Sequence, residues 1–275
     1  MSLDLFSSPF ALIGVVHLPA LPGTPHAALP LDAIRKGAVN EARTLRDAGF
    51  DGVIVENFGD APFRARRVDA AIVAAMALVT SDVVEELNRG PSRFPVGVNV
   101  LRNDADAAMS IASICGAGFV RINVHTGAMV CDQGIIEGRA YDTLLLRRRL
   151  NSHVFILADV LVKHASPLTS APIEALAEDM VVRGGAAGLI VSGSGTGHPT
   201  DPANVDRVRN ALPHTPVFIG SGLTMETLED ALIRAQGAIV GTALKGGDAF
   251  GRSISSERAR AFVEARERWF ARKRT

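Results

Sequence analysis

Residues 217–245 read VFIGSGLTMETLEDALIRAQGAIVGTALK, and the order of patterns within them decides the fold. Residues 217–219 form a short apolar run that Gly220-Ser221-Gly222 interrupts. Thr224 is placed to cap a helix from Met225 to Arg234, with Glu226 and Glu229 near the positive end of its dipole. Residues 238–240 are a second apolar run, closed by Gly241-Thr242. Strand, glycine turn, helix and strand in that order make a βαβ unit with parallel strands.

The same unit recurs outward from this stretch. Apolar runs at 12–16, 52–55, 96–100, 119–123, 154–159 and 188–191 bring the predicted strands to eight. Each is short and nearly all apolar, as parallel strands buried on both faces are. Between them lie helical patterns. Leu31, Ile34, Ala38, Ala42 and Leu45 form one buried stripe, as do Ile173, Leu176, Ala177 and Met180 behind Pro172. Ala48-Gly49, Gly116-Ala117-Gly118 and Gly184-Gly185-Ala186 precede strands, where glycine stops a helix in the left-handed conformation. Eight such units close most naturally into an α/β fold, a (β/α)8 barrel of the TIM type. An open doubly wound sheet is the alternative.

Composition agrees with one barrel domain over residues 1–275. The chain has 275 residues, 47% hydrophobic and 21% charged, and α/β barrels of about 250 residues form one domain. Lys+Arg and Asp+Glu both number 29, so the basic excess of a nucleic-acid binder is absent. Two cysteines cannot build a disulfide framework. MSLDLFSSPF lacks the features of a signal peptide, and the longest apolar run, residues 70–79, is half of a membrane span. A cytoplasmic, soluble protein is the expectation, with no nucleic acid and no integral membrane association. Ala259, Phe262, Val263, Trp269 and Phe270 form a stripe before a basic tail. It reads as a helix packed on the barrel rather than one lying on a membrane.

Chemistry in this fold collects just after the strands. Those positions hold His17, Glu56, Asn57 and Asp60, then Asn99, Arg102, Asn103 and Asp104, then Arg121, Asn123 and His125, then Asp159, Lys163 and His164. Bland roles compete for several of them. Asp104 suits a helix cap, Asp60 an Asx turn, Arg121 a buried partner for Glu56 or Asp159, and His125 an ordinary surface loop. As catalytic candidates we take Glu56, Asp159, Lys163 and His17. Asn57, Asn99, Arg121 and Asn123 are substrate-binding candidates. Two carboxylates in different environments divide acid and base roles. Lys163 suits a developing negative charge, or a Schiff base if its pKa is depressed. His17 suits substrate binding or proton transfer near neutral pH.

The glycine-rich ends of the last three units point to an anion. Gly193, Ser194 and Gly195, then Ser221 and Gly222, then Gly241, Thr242 and Lys245 are the phosphate-binding candidates. Small residues let backbone N–H groups approach a phosphate, and such barrels hold phosphate after strands seven and eight. The competing reading is that these glycines only make tight turns. SGSGTG is not a P-loop, since no Gly-Lys-Ser/Thr follows, and no G-x-S-x-G elbow is present. His17, Glu56, Asp159 and His164 offer a competing use as metal ligands, without an HxH pair or tight Cys/His spacing. No cofactor is firmly implied; Mg2+ beside a phosphate leaves little sequence trace.

Five strings are together specific: VVHLPALPGTP (15–25), GFDGVIVENFGDAPF (49–63), PVGVNVLRNDADAAMSIA (95–112), GAGFVRINVHTGAMVCDQGIIEGRA (116–140) and ILADVLVKHASPL (156–168). Over about residues 9–250 the chain resembles the BtpA/SgcQ family. The resemblance implies a TIM barrel of the ribulose-phosphate-binding type and a predicted enzyme. The family takes its name from a photosystem I biogenesis protein, and a shared name does not carry that role across. The expectation is an enzyme on a phosphorylated sugar or related phosphate ester, working by isomerase- or lyase-type acid–base chemistry. The alternatives are a hydrolase of glycosidic or phosphate bonds, and a non-catalytic assembly factor that keeps a ligand-binding barrel. Residues 126–138 suit either a lid or an oligomer contact, and a homo-oligomer is an open expectation.

Overall fold

The computed structural model describes residues 5–193, 195, 198–246 and 253–274. In chain order the strands are β1 (Ala11–His17), β2 (Gly52–Glu56), β3 (Val96–Asn99), β4 (Phe119–Ile122), β5 (Ala128–Cys131), β6 (Gly134–Glu137), β7 (Phe155–Asp159), β8 (Ala165–Pro167), β9 (Gly188–Val191), β10 (Val217–Ile219) and β11 (Gly237–Val240). The helices are α1 (Leu31–Ala48), α2 (Ala70–Leu87), α3 (Ala105–Cys115), α4 (Ala140–Arg149), α5 (Ile173–Glu178), α6 (Pro202–Ala211), α7 (Leu228–Arg234) and α8 (Ser256–Arg274). Eight strands close into a parallel barrel in the order β1-β11-β10-β9-β7-β4-β3-β2. All eight expected runs are barrel strands, and closure excludes the open sheet.

Strand residues alternate between two cores, because successive side chains leave a strand on opposite faces. Ala11, Ile13, Val15, Ile54, Phe119, Leu157, Ile190, Phe218 and Ile239 point inward and fill the barrel. Leu12, Val16, Val53, Val55, Val98, Val120, Ile156, Leu189 and Val240 point outward against the helices. The bottom of the barrel is closed by Phe6, which meets Phe119 and Phe218 edge-on at 5.8 and 5.9 Å. The two-sided burial explains why these runs carry almost no polar residue until their C-terminal ends.

The helices are set by the buried stripes and by their ends. In α1, Ile34, Ala38, Ala42 and Leu45 face the barrel, and Gly49 stops the helix at φ 94°. Asp104 caps α3 by accepting from Ala107 N at 3.0 Å. α7 begins at Leu228, three residues later than Met225. Thr224 and Thr227 spend their hydroxyls on each other's backbone, which holds residues 224–227 as a turn. The α5 stripe ends in one π-helical turn, Asp179–Arg183.

A second sheet was not expected. β5 and β6 form an antiparallel hairpin, and β8 pairs with β5 on its other side. Met129 and Ile136 face inward onto Val162, while Val130 and Ile135 are exposed. Residues 126–138 are thus a built hairpin tied to the segment after β7. No helix of the described residues is long and apolar enough to cross a membrane.

Candidate functional site

Inward alternation continues one step above the apolar core and delivers a polar layer. Counting in twos from the inward core residues gives His17 on β1, Glu56 on β2, Asn99 on β3, Arg121 and Asn123 on and after β4, and Asp159 on β7. Ser192, Gly220 and Gly241 follow β9, β10 and β11. Strand register places His17 opposite Glu56 and Glu56 opposite Asn99. Five strands of this ring carry long side chains, and the three consecutive strands β9, β10 and β11 carry glycine or serine. The vacancy over the glycine side is a cavity of about 320 Å3.

His17, Glu56, Arg121, Lys163, His198, Gly220, Ser221, Gly222, Thr224, Gly241 and Thr242 line that cavity. It joins the two halves of the predicted site, carboxylate and amine on one side and glycine turns on the other. A side chain at Gly220 would collide with Ser192 Oγ, 2.3 Å from its Cβ position, and one at Gly241 with His17 Cε1 at 2.7 Å. Gly222 has φ 70° and sits under the carbonyl of His198, so only glycine suits both the backbone and the space.

The two carboxylates of the ring differ sharply. Asp159 is fully buried and saturated. It accepts from Arg121 Nε and Nη2, both at 2.9 Å, from Asn123 Nδ2 at 2.8 Å and from Ser192 Oγ at 3.0 Å. It does not line the cavity. Burial works against the charge on Arg121, and the Asp159 carboxylate outweighs it, so the guanidinium is held above its ordinary pKa. Glu56 instead keeps one oxygen for Asn99 Nδ2 at 2.8 Å and presents the other toward His17 Nε2 at 3.6 Å.

Burial dominates the electrostatics of the remaining groups. Loss of solvent pushes His17 down to about 4, with Glu56 opposing. The ring is therefore neutral near pH 7, and its buried Nδ1 has no hydrogen-bond partner among the described residues. Phe58 lies against it with ring centroids 4.5 Å apart. Phe58 follows β2 in a short 3-10 turn, held in place by Asp60, which accepts from Leu21 N at 2.7 Å and Asn57 Nδ2 at 2.9 Å. Lys163 Nζ stands 6.0 Å from the Phe58 centroid, and burial lowers its pKa, against the pull of Glu56.

Several expected residues stand elsewhere. Lys245 turns away from the cavity and pairs with Glu41 of α1 at 2.9 Å. Gly193 donates its N–H to Ser221 Oγ at 2.9 Å, so the two turns brace each other. Gly195 packs beside the rings of His164 and His198, outside the cavity lining. Ser194 lies outside the described residues. Asn57 accepts from Leu101 N at 2.7 Å and holds the loop after β3. His125 is no surface residue. It is fully buried, with Nε2 donating to Gly184 O at 2.8 Å, and the chain packs the π-turn around it. Among the described residues, no group of three or more His, Cys, Asp or Glu is placed to hold a metal ion. His17, Glu56, Asp159 and His164 accordingly do not gather into a ligand set. Ser192, which fixes Asp159, was missed; its parity with Ile190 is the signal that finds it.

The sequence matches the BtpA family over residues 9–268. The photosystem I biogenesis protein BtpA of Synechocystis is 46% identical, with 92% of this chain and 87% of that one covered. An uncharacterised protein of Thermococcus kodakarensis is 42% identical, with 92% and 94% covered. Among solved structures, (S)-3-O-geranylgeranylglyceryl phosphate synthase of Thermoplasma acidophilum, in complex with sn-glycerol-1-phosphate, aligns with a TM-score of 0.61 at 15% identity, covering 98% and 99%. Phosphoribosyl anthranilate isomerase of Thermus thermophilus aligns at 0.56 and 11% identity, covering 94% and 99%. At these identities the likeness to the two structures is one of fold.

Proposed function

The chain belongs to the BtpA family, and from the groups that meet in its barrel mouth we propose an enzyme that acts on a phosphorylated sugar or related phosphate ester by proton transfer, in an isomerase or lyase reaction. One observation carries the reading: a single cavity is lined on one side by Glu56, His17 and Lys163 and on the other by Gly222, Gly241 and Thr242. The glycine side receives the phosphate on backbone N–H groups, with Thr242 at the head of a 3-10 turn. Arg121, fixed by Asp159, supplies a positive floor. The names of the two structural neighbours, a glyceryl phosphate synthase in complex with sn-glycerol-1-phosphate and a phosphoribosyl anthranilate isomerase, fit this class of ligand.

In this reading Glu56 is the general base. It lines the cavity with its second oxygen 3.6 Å from His17 Nε2, and Asn99 holds the other oxygen. His17 acts as a neutral hydrogen-bonding partner that relays the proton. Lys163 meets the carbonyl end of the substrate. Asp159 is a positioning residue, since its oxygens are committed to Arg121, Asn123 and Ser192. A glycosidase calls for two available carboxylates, and among the described residues only Glu56 faces the cavity.

A thermal-shift screen tests the proposal, because a ligand of the folded state alone raises Tm. Inorganic phosphate and triose or pentose phosphates raise Tm, and Thr242→Glu abolishes the rise by setting a carboxylate where the phosphate sits. A rise with neutral sugars as large as with their phosphates overturns the reading. The name of the Synechocystis relative favours a second reading, an assembly factor. That reading gains if Glu56→Gln leaves every property of the ligand-bound protein unchanged.

A further inference from the structure

We propose that the substrate carries an aldehyde or ketone and that Lys163 captures it as an imine. The proposal deepens the reading above and rests on its phosphate site. The chain has four lysines, Lys36, Lys163, Lys245 and Lys273. Lys36 and Lys273 are exposed on helices, and Lys245 is closed in its pair with Glu41. Lys163 is the described lysine that lines the cavity.

Its surroundings do not suit a resident cation. Among the described residues no carboxylate stands within ion-pair distance of Nζ. Asp159, the nearest strand-end acid in sequence, is consumed by Arg121, and the Phe58 ring, 6.0 Å from Nζ to its centroid, stands at the outer limit of a cation–π contact and gives an ammonium little support. An ammonium that only recognised an anion would gain from a partner to hold it charged. A half-buried amine on the cavity wall, with no ion pair among the described residues, is instead available as a neutral nucleophile, and burial, with the charge of Arg121, shifts its titration that way. The backbone fixes it as well: the Lys163 carbonyl accepts from Arg102 Nη2, which pins the loop after β7 to the loop after β3.

The step balances within the site. The Nζ lone pair attacks the carbonyl carbon, and the C–O π pair moves to oxygen, which takes up a proton. Nitrogen releases a proton, the hydroxyl is protonated and leaves as water, and a C=N bond with a protonated nitrogen forms. One carbonyl, one amine and one proton give one iminium and one water. His17 and Glu56, opposite each other on β1 and β2, carry the protons. The iminium then withdraws electrons from the neighbouring C–H, whose proton passes to Glu56.

Equimolar glycolaldehyde phosphate with the full-length protein, followed by borohydride and peptide mass mapping, tests this. Hydride reduction fixes the imine as a secondary amine, so the modified peptide gains the mass of the probe less one oxygen. The expected result is that gain on the Lys163 peptide in excess over Lys36 and Lys273, suppressed by excess inorganic phosphate and lost in Lys163→Arg. Labelling of Lys36 and Lys273 with Lys163 untouched overturns the imine. If phosphate still raises Tm in that case, the phosphate site stands and the covalent step alone falls. Labelling of Lys163 that phosphate neither suppresses nor slows keeps the imine and overturns the phosphate reading.

Discussion

Asp159 and Glu56 share a residue class, a strand-end position and a buried layer, yet they answer to different tests. Asp159→Asn removes the charge that holds Arg121 in the barrel and is expected to cost roughly 3–5 kcal/mol in urea unfolding. Glu56→Gln keeps the bond from Asn99 and is expected to abolish turnover while changing stability by less than about 1 kcal/mol. The reverse pattern would exchange their roles. His17 gives a pH test. Its pKa in the folded protein is about 4, against 6.5 when solvated. Above 6.5 both states are neutral and its contribution is constant. As pH falls from 6.5 to 4 the unfolded chain takes the proton first, so stability declines by roughly 3 kcal/mol and then levels. Unfolding at pH 7 and pH 4.5 measures this, and His17→Asn is expected to lose that share of the acid sensitivity. Equal sensitivity in both proteins refutes it. The residues of this layer were legible as types and positions in the sequence. Their division was not, because Arg121 was free on paper to choose Glu56 or Asp159, and only the curvature of the barrel settles which carboxylate it reaches.

Elements were read best where burial is two-sided and worst where it is one-sided. The barrel strands announce themselves by unbroken apolar runs. β5 and β6, AMVC and GIIE, bury only Met129 and Ile136 among half-buried and exposed neighbours, too short an alternation to register beside glycines. Helix ends were legible where one residue closes them, as Asp104 and Gly49 do. α7 was misjudged because Thr227 competes with Thr224 for the turn. Gly49 makes the point quantitative. Its φ of 94° and the Cγ1 of Val263, 3.2 Å from where a Cβ would stand, oppose any side chain there. Gly49→Ala is expected to lower stability by about 1–2 kcal/mol. Circular dichroism melts would show it, and an unchanged Tm would mean that the end of α1 refolds around the methyl group.

The whole molecule separates what holds it from what it does. The lower end is closed by structural contacts alone, where Phe6 plugs the barrel and Arg266 of α8 binds both Phe10 O and Asp51. The cavity opens at the upper end, the usual division in this fold. Phe6→Ala is expected to cost about 3 kcal/mol while leaving the rise in Tm with a phosphate ligand intact; loss of that rise would show the two ends to be coupled. The three-stranded sheet over the upper end has a mechanical meaning. β5 and β6 hang from β4, β8 hangs from β7, and residues 160–164 are the cord between β7 and β8. Lys163 rides on that cord. The hairpin is therefore joined to the amine through the β5–β8 ladder and a few peptide units, so the position of one is tied to the position of the other.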